Sequence, residues 1–264
     1  MVSVSHECPL ELMNHFDKWN DYEYCLVHLL DEFPAYEYHF HAARTKGKRI
    51  LLDNSIFELG EAFDWAEYVK WINKLLPNEY IVPDVLESSY DTITQFALWK
   101  DTCYDDAIVK SVIGVVQGKT YEELVECYEF MAENADKIAI SFDYSYYLTI
   151  GESGNKWHTF MTGRQAFIDK LVADGIWRRD KPHHLLGAAL PQEFKKYDWD
   201  ALNIATLDTS NPIQQGLLGF EYTDDGLDEK RSLKVADSFT AYYPDSRIKI
   251  AEENVKKFKE FCKR

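Results

Sequence analysis

Asp53, Asp84, Asp143 and Asp208 each follow a short apolar or β-branched run: Leu51-Leu52, Ile81-Val82-Pro83, Ser141-Phe142 and Ala205-Thr206-Leu207. Other such runs end on His6, on His28, on Asn54 next to Asp53, and on Gln117 in Gly114-Val115-Val116-Gln117-Gly118. A carboxylate among Ile, Leu and Val is destabilised unless it is paired or hydrogen-bonded. Several that converge push one another's pKa values apart into distinct acid and base roles. Acid/base or nucleophilic catalysis needs such a set. An aspartate leaving a strand can equally cap the next helix, so one alone carries little weight, and the shared placement carries more. Pro83 fixes the backbone just ahead of Asp84. The Gln117 amide followed by a glycine suits reading the edge of a base through a donor and an acceptor, though a plain strand-to-turn gives the same pattern. His6 and His28 read as satisfied core or rim histidines.

The elements that must position these residues alternate along the whole chain, as repeated βα units of a parallel sheet do. Strands are expected at Val2 to Ser5, Tyr24 to Leu29, Arg49 to Asp53, Tyr80 to Pro83, Ser111 to Val116, Lys137 to Ser141, His184 to Gly187 and Leu202 to Leu207. Helices are expected at Pro9 to Trp19, Glu32 to Thr45, Trp65 to Leu75, Ser88 to Thr102, Tyr121 to Asn134, Arg164 to Asp174, Pro191 to Tyr197 and Ile248 to Lys263. With 264 residues and eight units, the reading is a single (β/α)8 barrel spanning residues 1–264, with chemistry in the loops after the strands. Fewer units would have favoured an open doubly wound sheet. Two stretches break the rhythm: an aromatic loop from Asp143 to Gly163, with Tyr144, Tyr146, Tyr147, Trp157 and Phe160, and a polar insertion from Gly216 to Pro244. Connections this long are usually functional lids or disordered.

Apolar residues make up 46% of the chain and aromatic ones 15%, ample for a large core and a stacking pocket. The net charge of -16 works against broad adhesion to polyanions, which Lys and Arg drive by releasing counterions. A nucleic-acid partner would need a local basic patch, for which Arg178, Arg179, Lys181, His183 and His184 are the candidates. Cys8, Cys25, Cys103, Cys127 and Cys262 form no CxxC pair and no Cys/His cluster, so reduced thiols and no metal are expected. With neither a signal-like start nor an apolar span, the reading is a cytoplasmic protein with no membrane partner.

Taken in order, the strand-end motifs resemble the tRNA-guanine transglycosylase family and its DNA-modifying relatives, the 7-deazaguanine transglycosylases of phage and bacterial modification clusters. Leu52-Asp53-Asn54-Ser55-Ile56-Phe57 is similar to the family's D-S-G-G-F-Q stretch, without its glycines. Val82-Pro83-Asp84 falls where the family has an aspartate that binds the base, and Gly114-Val115-Val116-Gln117-Gly118 resembles G-I-V-Q-G-G, whose glutamine reads it. Leu185-Leu186-Gly187-Ala188-Ala189-Leu190-Pro191 is similar to L-M-G-V-G-x-P, and Leu207-Asp208-Thr209-Ser210-Asn211-Pro212 to F-D-C-V-x-P. The likeness covers about residues 49 to 216. It implies Asp208 as nucleophile, Asp53 as the essential carboxylate beside the sugar, and Asp84 and Gln117 as base ligands. The family's three-cysteine, one-histidine zinc site has no counterpart here, and Ser141-Phe142-Asp143 replaces its strand-six glycines. Its basic run after the proline is replaced by Ile213-Gln214-Gln215.

The expected activity is therefore base exchange at an N-glycosidic bond, with Asp208 and Asp53 catalytic. Asp84, Gln117, Gly118, Asn54, Asp143, Gly187 and Tyr144 are expected to contact the substrate, and no cofactor is needed. A glycosylase or nucleoside-processing enzyme on the same barrel is the enzymatic alternative, and a barrel that binds nucleotides without catalysis the other. The partner is a DNA or RNA strand or a free nucleoside or nucleobase. Whether the chain forms a homodimer is left open.

Overall fold

Eight strands run β1 Ser3–Ser5, β2 Glu23–Leu26, β3 Ile50–Asp53, β4 Glu79–Ile81, β5 Val112–Val115, β6 Lys137–Ser141, β7 His183–Leu186 and β8 Ile204–Asp208. In this computed structural model, which describes residues 2–61, 63–231 and 238–263, they form one sheet in the order β1-β8-β7-β6-β5-β4-β3-β2. The described ladders are parallel, and helices alternate with the strands. This is the α/β architecture of a (β/α)8 barrel, as the strand count leads one to expect. The backbone divides into two compact units, Tyr22–Ile140 and Met1–Asp21 with Ser141–Arg264.

In the Tyr22–Ile140 unit, β2, β3, β4 and β5 are buried at every residue. Parallel strands covered on both faces take such runs of Ile, Leu and Val. Helices Trp65–Leu75, Ser89–Thr102 and Tyr121–Asn134 begin where Asp64, Ser88 and Thr120 accept from Glu67, Asp91 and Glu123 amides, the capping that short polar side chains supply. Tyr68 carries its hydroxyl from the first of these helices to Leu52 O at 3.1 Å and Ile81 O at 2.9 Å. The ends of β3 and β4, which carry Asp53 and Asp84, are thereby tied to one side chain. At the opposite strand ends Glu79 pairs with Arg49 at 2.6 Å and Lys137 at 2.5 Å.

In the other unit, β8 pairs with β1 in a register that sets Asp208 opposite Ser5, and with β7 through Leu207 opposite Leu185. Helix Lys156–Ala173 is capped by Asn155, whose Oδ1 accepts from Trp157 and His158 amides at 3.0 Å. Helix Asn211–Leu218 carries Pro212 in its first turn and buries Ile213 and Leu217.

Several boundaries differ from the sequence expectation. The apolar run Val27-His28-Leu29 is helical, within Val27–Glu32, because a buried run of this length has no period that separates strand from helix. Phe33-Pro34 divides that helix from Pro34–Thr45. Pro9 to Trp19 is a 3-10 turn at Leu10–His15 followed by Phe16–Trp19, and Pro191–Lys195 is also 3-10. The expected aromatic loop is mostly ordered structure: Tyr147–Ile150 is helical, and the helix placed at Arg164 starts at Lys156. Two of its tyrosines fill the core, Tyr144 and Tyr147 being buried against Phe167. The insertion expected from Gly216 begins inside helix Asn211–Leu218, and its residues 232–237 lie outside the described residues. The basic patch dissolves likewise: Arg178 pairs with Asp180, and His183 and His184 are fully buried strand residues, His183 stacked on Trp177 at 3.8 Å.

Candidate active site

The first cluster grows from the ends of β3, β4 and β5. Asp84 is 2% exposed and lies between two amides: Asn54 Nδ2 donates to its Oδ1 at 2.8 Å and Gln117 Nε2 to its Oδ2 at 2.7 Å. Burial pushes the Asp84 carboxyl above the usual carboxylate range, and the two donors pull it back. Each amide is fixed in turn. Asn54 Oδ1 accepts from Ile56 N at 2.9 Å, and its Nδ2 also reaches Val82 O at 3.2 Å. Gln117 Oε1 accepts from Glu87 N at 2.9 Å. The acceptor expected to read a base is thus occupied within the protein, and Gln117 faces Asp84 as a donor.

Asp53 closes β3 and accepts from Ser55 N through Oδ2 at 2.8 Å. That turn puts Ser55 at φ 62, left-handed backbone that glycine adopts without penalty. Gly118 follows Gln117 under the next helix, where a Cβ would lie 2.9 Å from Glu123 Cβ and from Leu124 N. His28, which burial holds below its ordinary pKa, leaves a buried Nδ1 without a hydrogen bond from the described residues.

The second cluster is built on β7 and β8. Asp208 is 5% exposed; its Oδ1 lies 3.0 Å from His184 Nε2 and 3.3 Å from Gly187 N. Thr206 Oγ1 holds the other ring nitrogen of His184 at 2.9 Å, which fixes the imidazole. Among the described residues no hydrogen bond reaches Oδ2. Gly187 turns the chain at φ 63 under Phe142, whose ring carbon Cδ1 would stand 2.6 Å from a Cβ there. The turn is clamped from behind by Arg164, fully buried, which donates from Nη1 to Leu186 O and from Nη2 to Gly187 O, both at 3.0 Å. Its Nε meets Glu193 Oε1 at 2.6 Å, and Tyr197 OH donates to the same oxygen at 2.7 Å.

Asp143, half-buried after β6, accepts from Ser141 Oγ at 2.8 Å; burial raises its pKa, opposed by that hydroxyl and by the charge of Lys230. Lys230 donates to Ala188 O at 3.0 Å, with its ammonium 4.7 Å from the Phe142 ring centre and 5.2 Å from that of Trp157. Burial lowers the Lys230 pKa to about 8, against the opposing pull of Glu7, Asp143 and Asp208. Tyr144 is 2% exposed and accepts from Ser141 N through its hydroxyl at 3.0 Å, so its ring is packing and not a free stacking face. His6, after β1, is bound to Asn20, and burial lowers its pKa to about 4.

The structure therefore gathers Asp53, Asn54, Asp84, Gln117 and Gly118 in one unit, and Asp143, Gly187 and Asp208 in the other. Sequence reasoning missed His184, Arg164 and Lys230. His184 reads both as a strand start and as part of a basic patch, Arg164 lies inside a helix that starts earlier than expected, and Lys230 lies in the polar insertion. Among the described residues no group of three or more His, Cys, Asp or Glu is arranged to hold a metal ion, and all five cysteines are free thiols. Among them, too, no helix is long and apolar enough to cross a membrane. No family model matches the chain, and no curated protein sequence matches it.

Proposed function

We propose that the protein is a transglycosylase-like enzyme that acts at the N-glycosidic bond of a nucleotide and exchanges the base through a glycosyl ester on Asp208. The observation that carries this reading is the state of Asp208. One carboxylate oxygen accepts from Gly187 N and lies 3.0 Å from His184 Nε2, and the other accepts no bond from the described residues, the arrangement a carboxylate nucleophile needs. In the reaction Oδ2 attacks C1′, the base departs, and a second base or water resolves the ester. The Gly187 amide holds Oδ1 beside the His184 ring and so orients the attack.

The resemblance assigns Asp84 and Gln117 to the base, and Asp53 to the sugar or to a proton. Both Asp84 oxygens already accept from protein amides, so the N–H edge of a guanine-like base would meet the remaining lone pair of each. The resemblance adds one point: Ser55 holds left-handed backbone where the family has a glycine. The substrate is a DNA or RNA strand or a free nucleoside, met in the cytoplasm.

The test is incubation with single-stranded DNA, duplex DNA, tRNA and free nucleosides, with and without radiolabelled guanine or 7-deazaguanine, beside Asp208→Asn. Label entering the polymer or nucleoside only with intact Asp208 supports exchange. Abasic product without label makes the enzyme a glycosylase. Binding that survives Asp208→Asn, with no turnover of any substrate by the wild type, makes it a non-catalytic binder.

A further inference from the structure

On that reading the base that departs needs a proton. Asp208 and Lys230 grip neighbouring residues of one turn: Asp208 Oδ1 accepts from Gly187 N at 3.3 Å, and Lys230 Nζ donates to Ala188 O at 3.0 Å. Lys230 is held there by its neighbours. Gln192 exchanges two hydrogen bonds with Leu227, at 2.7 and 3.0 Å; Asn155 Nδ2 donates to Asp228 O at 2.5 Å; and Gln215 exchanges two with Arg231, at 2.7 and 3.1 Å. The segment is a strap pinned on both sides of the lysine, so the ammonium is delivered to the Asp208 turn by structure on either flank.

We propose that Lys230 is the proton carrier of the exchange: its ammonium protonates the base that leaves C1′, and its amine takes the proton of the base that replaces it. In the first half Asp208 Oδ2 bonds to C1′, the C1′–N bond breaks with its electron pair going to the base, and that nitrogen takes a proton from Lys230 Nζ. In the second half the incoming base nitrogen attacks C1′, the ester bond breaks with its pair returning to the carboxylate, and the displaced N–H proton goes to the Lys230 amine. Water can replace the incoming base with the same balance, so Lys230 ends each cycle as it began.

Electrostatics time the transfer. The ammonium has Glu7, Asp143 and Asp208 as acidic partners and Arg164 as an opposing cation, while Lys156 lies over the same Trp157 ring at 5.5 Å. Ester formation turns Asp208 from an anion into a neutral group, which removes one partner of the ammonium when the leaving base needs its proton. Restoring the carboxylate draws a proton back. Burial already brings Lys230 down to about 8, where either state is accessible near neutral pH.

The test follows Lys230 in the full-length protein carrying 13Cε-labelled lysine, with Lys230→Met to identify its resonance. The expected result is a titration near pH 8 in the wild type that moves lower in Asp208→Asn, which removes the same charge as the ester. Titration in the ordinary lysine range, or no movement in Asp208→Asn, overturns the proposal. In the exchange assay Lys230→Met and Lys230→Arg should both lose at least tenfold in kcat with KM little changed, because arginine keeps the charge but does not release its proton. Full activity in Lys230→Arg overturns the carrier role. If the wild type exchanges no base while Lys230 still titrates low and responds to Asp208→Asn, the reaction fails and the carrier role with it, and the electrostatic coupling stands.

Discussion

Replacing Arg164 with methionine removes one partner of an ion pair in which both side chains are 0% exposed and Nε stands 2.6 Å from Glu193 Oε1. Breaking such a pair from one side leaves an uncompensated buried carboxylate and destabilises a fold by about 3–5 kcal/mol. Tyr197 OH still reaches Glu193, which sets the expectation at the lower end, while the donors to Leu186 O and Gly187 O are lost with the guanidinium and push it up. For a chain of this size roughly 2–4 °C accompanies each kcal/mol, so Tm should fall by about 6–20 °C. Urea unfolding followed by circular dichroism gives the free energy. The double variant Arg164→Met with Glu193→Met should recover most of the loss, because an apolar pair of similar volume avoids the desolvation that the ions suffer. A single variant that loses less than about 1 kcal/mol, or a double variant no better than the single, would refute the argument. Since Arg164 also fixes the turn whose amide meets Asp208, turnover should fall in the double variant even where stability returns.

Two further results are expected. Burial holds His6 at about 4 and His183 at about 3, so both are neutral in the folded protein where the unfolded chain takes up protons. Their contribution is complete above the unfolded value near 6.5 and is lost as pH falls toward the folded values; for His6 alone this amounts to roughly 3 kcal/mol by pH 4. Urea midpoints should decline steeply from pH 6.5 downward, and a flat profile between pH 7 and pH 5 would contradict the burial argument. Asp84→Asn puts an amide nitrogen against one of two donors, Asn54 Nδ2 or Gln117 Nε2, and should cost about 1–3 kcal/mol in spite of removing a buried charge. Unchanged or raised stability in the same unfolding assay would mean that Asp84 is not held as an ionised acceptor.

The eight strands and the strand-end residues were legible because buried parallel strands are written as short Ile, Leu and Val runs, and Asp53, Asp84 and Asp208 stand where those runs stop. The hydrogen bonds that give these residues their character were not. That Asn54 and Gln117 would meet on the two oxygens of Asp84 depends on side chains 30 and 33 residues away from it converging in space. His184 carries no periodic signal separating a buried strand histidine from a surface one beside Arg178 and Arg179. Tyr144 and Tyr147 read as part of a long aromatic loop because aromatic residues suit a pocket and a core equally, and tertiary packing chose the core. Lys230 stands in a polar stretch without period, and its place is fixed by Ala188, Gln192, Asn155 and Gln215, each distant in sequence.

Covalent chemistry at Asp208 is tested most directly by quenching a reaction with acid and mapping the peptides by mass spectrometry. The substrate would be whichever strand or nucleoside exchanges label. The account predicts a glycosyl adduct on the peptide that carries Asp208, present in the wild type and absent from Asp208→Asn. Base exchange with no adduct, or an adduct on Asp53 or Asp143 instead, would contradict it.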